Sequence, residues 1–123
     1  MSGYPVNQVT KMAGEPGSGQ LLEVAAPARA TLIGAAGANV INGGAVADTL
    51  LRRVIFHTAL AGTVTIAGFQ DEGGNATDYV FPVAMAAGSY EFGDVLNNKS
   101  ALSVTLSSAT DYDRVMIVWV DAS

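Results

Sequence analysis

The chain has 123 residues and a net charge of −5, with 50% hydrophobic but only 14% charged residues, against roughly 25% charged in an ordinary soluble domain. That length fits one domain with a modest core. The six basic residues are scattered, with Arg52-Arg53 their one adjacent pair, so there is no electrostatic footprint for nucleic acid. No stretch approaches the roughly 20 continuous apolar residues of a membrane span, and the lack of cysteine removes disulfides, zinc-thiolate sites and thiol catalysis, as suits a reducing cytosol.

In chain order, residues 1–27 come first and differ from the rest. Tyr4-Pro5, Gly14, Pro16-Gly17, Gly19 and Pro27 punctuate a stretch with little periodicity, which predicts an extended N-terminal arm, either a tail or a strap laid across a neighbour. The stretch "MSGYPVNQVTKMAGEPGSG" has neither a basic n-region nor an apolar core, so no secretory signal is expected. The Asn-x-Ser/Thr sequences at Asn75 and Asn98 accordingly read as polar turns. Residues 28–123 form the predicted domain. Leu32-Ile33 and Val40-Ile41 are short apolar knots separated by Gly34 and Gly37, and short kinked strands suit them better than a helix, where each interior Gly costs about 1 kcal/mol relative to Ala.

From residue 49 the strand signals become regular. In "TLLRRVIFHT" Leu50, Leu51, Val54 and Ile55 could form a helical stripe, yet Val-Ile-Phe-His-Thr is strand composition and a strand is the expectation; "TVTIAGF" alternates Val64 and Ile66 with Thr63 and Thr65, so the two predict a hairpin around Ala61-Gly62. "QDEGGNATD" reads as a polar loop. "YVFPVAM" points Tyr79, Phe81 and Val83 one way, and Pro82 places that strand at an edge or bulge. "GSYEFG" repeats the alternation, "DVLNNKS" reads as a turn, and Leu102, Val104 and Leu106 alternate with Ser and Thr. Last comes the unbroken run Val115, Met116, Ile117, Val118, Trp119 and Val120, apolar on both faces. Either Val115, Ile117 and Trp119 or Met116, Val118 and Val120 join the core; the other set needs cover from a closed sheet, the arm or a neighbouring subunit. These six residues are the candidate interface, with the subunit as the favoured cover. The pattern of seven or eight short strands predicts an all-β fold, a small β-sandwich of jelly-roll or Greek-key type.

Residues able to carry chemistry are sparse. His57 is the sole histidine, and no Ser lies in a Gly-x-Ser-x-Gly elbow, so a Ser-His-Asp triad has no support. Asp71-Glu72 and Asp111 with Asp113 lie in inferred loops where carboxylates are ordinarily solvated. "DEGGNATD" lacks the spacing of a twelve-residue calcium loop, and "GEPGSG" lacks the Gly-Lys-Ser/Thr ending of a phosphate loop. No catalytic residue, metal site or cofactor is expected, and the chain does not read as an enzyme. Trp119, Tyr79 or Tyr90 would serve a carbohydrate-binding module as a stacking platform, although the apolar surroundings of Trp119 favour burial.

"TLLRRVIFHTALAGTVTIAGF", followed downstream by "GSYEFGDVLNNKSALSVTLSSATDYDRVMIVWV", resembles the small β-rich virion proteins of tailed bacteriophages in the order and pattern of its strands over residues 49–120. Their late Leu-x-Val-x-Leu-Ser strand, short Thr-Asp loop and final Val/Trp/Tyr-rich strand close a sandwich. The resemblance implies a structural virion protein made in the bacterial cytoplasm and placed on the capsid surface. There, as a head-decoration or cement protein, commonly a homotrimer, it would bind the major capsid protein and stabilise the shell. A tail or head-tail-junction component is the alternative within that class.

Overall fold

The computed structural model of the protein describes residues 27–123; the arm expected at residues 1–27 lies outside them apart from Pro27. Eight strands follow in chain order: β1 (Ala28–Ile33), β2 (Ala38–Val40), β3 (Thr49–Phe56), β4 (Val64–Gln70), β5 (Ala76–Phe81), β6 (Gly88–Leu96), β7 (Ser103–Leu106) and β8 (Val115–Asp121). The only helical pieces among the described residues are two 3-10 turns, Asn42–Gly44 and Ala109–Asp111. One sheet has the order β1-β8-β3-β6 and the other β2-β7-β4-β5, with every pairing antiparallel. This is the strand order of a jelly roll, an all-β sandwich as expected.

The alternation in the sequence decides which face each strand buries. Val64, Ile66, Val104 and Leu106 point from one sheet, and Leu51, Val54, Phe56, Val115 and Ile117 from the other, and all are buried. Ile41, Leu60 and Leu102 plug the ends from the loops. Burying each such side chain stabilises the fold by about 1.5–3 kcal/mol. One open side of the sandwich, between β5 and β6, is closed by aromatic rings: Phe56 and Phe81 meet edge to face at 5.0 Å, and Tyr90 lies 5.1 Å from Phe56.

The expected hairpin around Ala61-Gly62 does not form. β3 pairs with β6 and β8, whereas β4 pairs with β5 and β7, so residues 57–63 carry the chain from one sheet to the other. Leu60 is buried in that crossing, and a Cβ at Gly62 would overlap Ser107 Oγ, so the crossing packs closely against the β7–β8 connection. Among the described residues the one hairpin whose strands pair directly is β4–β5, across the turn at residues 71–75. There Asp71 Oδ1 accepts the Gly73 and Asn75 N–H groups, both at 2.9 Å. β5 is an edge strand that ends before Pro82, as its missing N–H predicts. β6 is longer than expected, running through Leu96 across residues read as a turn, because Leu50 and Leu51 of β3 pair with Leu96 and Val95.

Candidate interface and groove

Register with both neighbours decides what the last strand buries. Thr31, Ile33, Val54 and Phe56 flank Ile117 and Val115 on the inner face, and Trp119 lies beside Arg29 and Leu51. Val115, Ile117 and Trp119 are therefore core residues. Trp119 Nε1 donates to Thr31 Oγ1 at 3.0 Å, and the Arg29 guanidinium stands 5.4 Å from the centre of its ring. Met116, Val118 and Val120 belong to the outer face; Val120 is buried and the other two are half-buried.

Extending the registers across the sheet gives three outward rows. They are Leu32–Met116–Ile55–Ser89, Ala30–Val118–Arg53–Glu91 and Ala28–Val120–Leu50–Leu96. Nine of these twelve positions are aliphatic, and Leu32 is 47% exposed. The charges sit at the β3–β6 side. Arg53 Nε lies 3.1 Å from Glu91 Oε2, out of line for a hydrogen bond, and the fork of Arg52 meets both carboxylate oxygens of Asp94 at 3.0 and 3.2 Å. Arg52 is the extra residue at which β3 shifts register against β8, whereas against β6 the extra residues lie on β6 between Glu91 and Val95. The Arg52 hydrogen bond holds the Asp94 carboxyl below the usual carboxylate range, and the same bond raises Arg52. In the opposite sheet the two middle strands present Thr65, Thr105, Ala67 and Ser103 outward, with the exposed Val80 and Val40 in the same rows on the edge strands.

A groove of about 320 Å³ opens where the edges of β5 and β6 part. It is lined by Phe69, Gln70, Thr77, Asp78, Tyr79, Phe92 and Val95. Tyr79 is 49% exposed and meets the edge of Phe92 at 4.9 Å, which fixes its ring as one wall. Of the three aromatics considered as sugar platforms, Trp119 is buried, Tyr90 packs against the core with its hydroxyl on the Ala86 carbonyl at 2.9 Å, and Tyr79 is the exposed one.

The remaining polar candidates hold loops. His57 is exposed directly after β3 and its backbone N–H donates to the Arg114 carbonyl. Asp111, which reads as solvated in the sequence, is fully buried; its two carboxylate oxygens accept the N–H groups of Ala61 at 2.7 Å and Gly62 at 2.8 Å. Its neighbour Asp113 is exposed, with φ at +64°. Asn97, also fully buried, accepts the Thr49 N–H and donates to the Ala45 and Ser100 carbonyls, tying two loops together. Neither clasp has a sequence signal, since each joins residues about fifty positions apart. Among the described residues, no group of three His, Cys, Asp or Glu is placed to hold a metal ion.

Comparison with protein-family models, curated proteins and solved structures finds no match for this chain.

Proposed function

We propose that this chain is a structural virion protein without catalytic activity, a capsid decoration or cement protein that associates with copies of itself and clamps the major capsid protein on the outside of a phage head. The observation that carries the reading is the outer face of the β1-β8-β3-β6 sheet. Two of its rows are aliphatic across β1, β8 and β3, and the middle row is aliphatic across β1 and β8 before it meets Arg53 and Glu91, on a domain whose buried polar groups serve to hold loops. Ala28, Ala30 and Leu32 are exposed and the rest of the face is largely half-buried, so apolar area remains open at the β1 margin, which supports association. The jelly roll is an architecture used by viral capsid and lectin domains, and the strand pattern over residues 49–120 resembles phage virion proteins. Such a role draws its stabilisation from apolar area distributed over many copies, at roughly 25 cal/mol per Å² before association costs.

Co-sedimentation of the purified chain with expanded capsids tests the proposal: saturable binding supports it, and capsids that pellet without the protein refute it. Imaging of labelled particles separates a head position from a tail or head-tail junction. One observation favours a second reading, carbohydrate binding. The β5/β6 groove sets the exposed Tyr79 ring beside Asp78, Gln70 and Thr77, an apolar wall next to hydrogen-bonding groups. Sugar titrations that move the NMR signals of Tyr79 and Phe92 support this reading; an unchanged spectrum removes it.

A further inference from the structure

The four sheet edges are not equally protected. β2 has three residues, too short to template a partner; β5 carries Asp78 and stops at Pro82; β6 is interrupted by Gly93 and Asp94, both at positive φ (73° and 63°). Short strands, charges, prolines and bulges are the devices by which natural sheets prevent edge pairing. β1 runs through six residues, ARATLI, without a proline or a bulge and with one charge, Arg29, and among the described residues it pairs on one side only, with β8. That charge is held on the inner side of the strand, where the Arg29 guanidinium lies over Trp119, so β1 is the least interrupted of the four edges. The same strand supplies Ala28, Ala30 and Leu32, the margin of the aliphatic outer face.

From these observations we infer that β1 is the self-association edge: β1 of a second copy adds antiparallel to it about a two-fold axis, joining two four-stranded sheets into one of eight strands and two outer faces into one. A second copy fits because the edge is its own complement. An isologous contact requires a surface that matches itself under a two-fold, and an antiparallel strand pair does so through its backbone. Side-chain parity then restricts the register, since a one-residue slip would set outward residues against inward ones. Centring the axis on Ala30 places Leu32 beside the partner's Ala28 and Arg29 beside the partner's Thr31, and Pro27, lacking an N–H, ends the pairing. Centring it on Thr31 would instead set Arg29 against the partner's Ile33, so Ala30 is the axis. The inference rests on the self-association in the proposed function but not on the virion role, and a two-fold pair replaces the trimer that the resemblance implies.

The absence of cysteine makes the test direct. Residues directly opposite in an antiparallel pair have Cα atoms about 4.5–5.5 Å apart, within disulfide range. Full-length Ala30→Cys is therefore expected to form a covalent dimer on mild oxidation, while Val80→Cys, on the guarded β5 edge, stays mostly monomeric. Ala30→Asp should weaken dimerisation about tenfold or more in sedimentation equilibrium, because two carboxylates would meet on the axis, with native circular dichroism retained. A full-length chain that sediments as a monomer at every concentration overturns the inference, as does a folded dimer in which Ala30→Cys cross-links no faster than Val80→Cys. A monomer whose β1 amides resist hydrogen exchange assigns the edge to residues 1–26 and overturns it too. Failure to bind capsids would refute the virion role and leave the cross-link standing.

Discussion

Asp111→Asn exchanges one oxygen for an amide nitrogen at a site where both oxygens accept backbone hydrogen bonds, from Ala61 at 2.7 Å and Gly62 at 2.8 Å. Asparagine can accept from one of these amides, but its NH₂ then faces the other, leaving a buried donor unpaired. A charge-assisted hydrogen bond contributes about 1.5–3 kcal/mol and an unsatisfied buried donor costs about 1–3 kcal/mol, while removing a buried charge returns part of its desolvation cost. The balance is a loss of about 2–3 kcal/mol. For a domain of this size, with a urea m-value of about 1.5 kcal/mol per M, the unfolding midpoint should fall by about 1.3–2 M. The single tryptophan, Trp119, is buried and reports the transition by fluorescence. Asp111→Ala, which loses both acceptors, should fall further. A midpoint for Asp111→Asn within about 0.3 M of the parent protein would refute the assignment of Asp111 as the clasp that turns the chain between sheets.

Val104, fully buried, should not tolerate Asp: an unpaired carboxylate in the core is expected to abolish folding by circular dichroism. Val118→Asp, on the outer face, should keep the native spectrum and lower the association seen in sedimentation. Acrylamide should quench Trp119 far less than free tryptophan, since 6% of the residue is exposed. Asp94, held below its ordinary value of 3.8 by Arg52, stabilises the fold above that pH, and the effect is lost as pH falls through the lowered folded-state value. Asp94→Asn should therefore unfold slightly earlier than the parent at pH 7 and coincide with it in strong acid, with a small difference because the pair is exposed.

Strands buried on one face were legible because burial imposes a period of two. Leu102, Val104 and Leu106, and Val64 with Ile66, needed no partner to be assigned. The run from Val115 to Val120 was different. Both of its faces are apolar, and only the registers with β1 and β3 separate Val115, Ile117 and Trp119 from Met116 and Val118. The crossing at Ala61-Gly62 escaped for a related reason, since alternation reveals strands but not whether two successive strands share a sheet. Asp111 escaped because a polar loop composition reads as solvated, and its burial depends on amides 49 and 50 positions away. The groove has no local signature, its aromatics Phe69, Tyr79 and Phe92 coming from three different strands.

The strand order also constrains how the molecule reaches its native state. β8 lies between β1 and β3, so among the described residues β1 finds its partner only when β8 has been made. Among the described residues the β4–β5 hairpin is the one pairing that can form from adjacent segments. A chain with so few local contacts is expected to fold in milliseconds to seconds, after its C-terminal strand has cleared the ribosome. Truncation before Val115 would leave a partial sheet prone to aggregate.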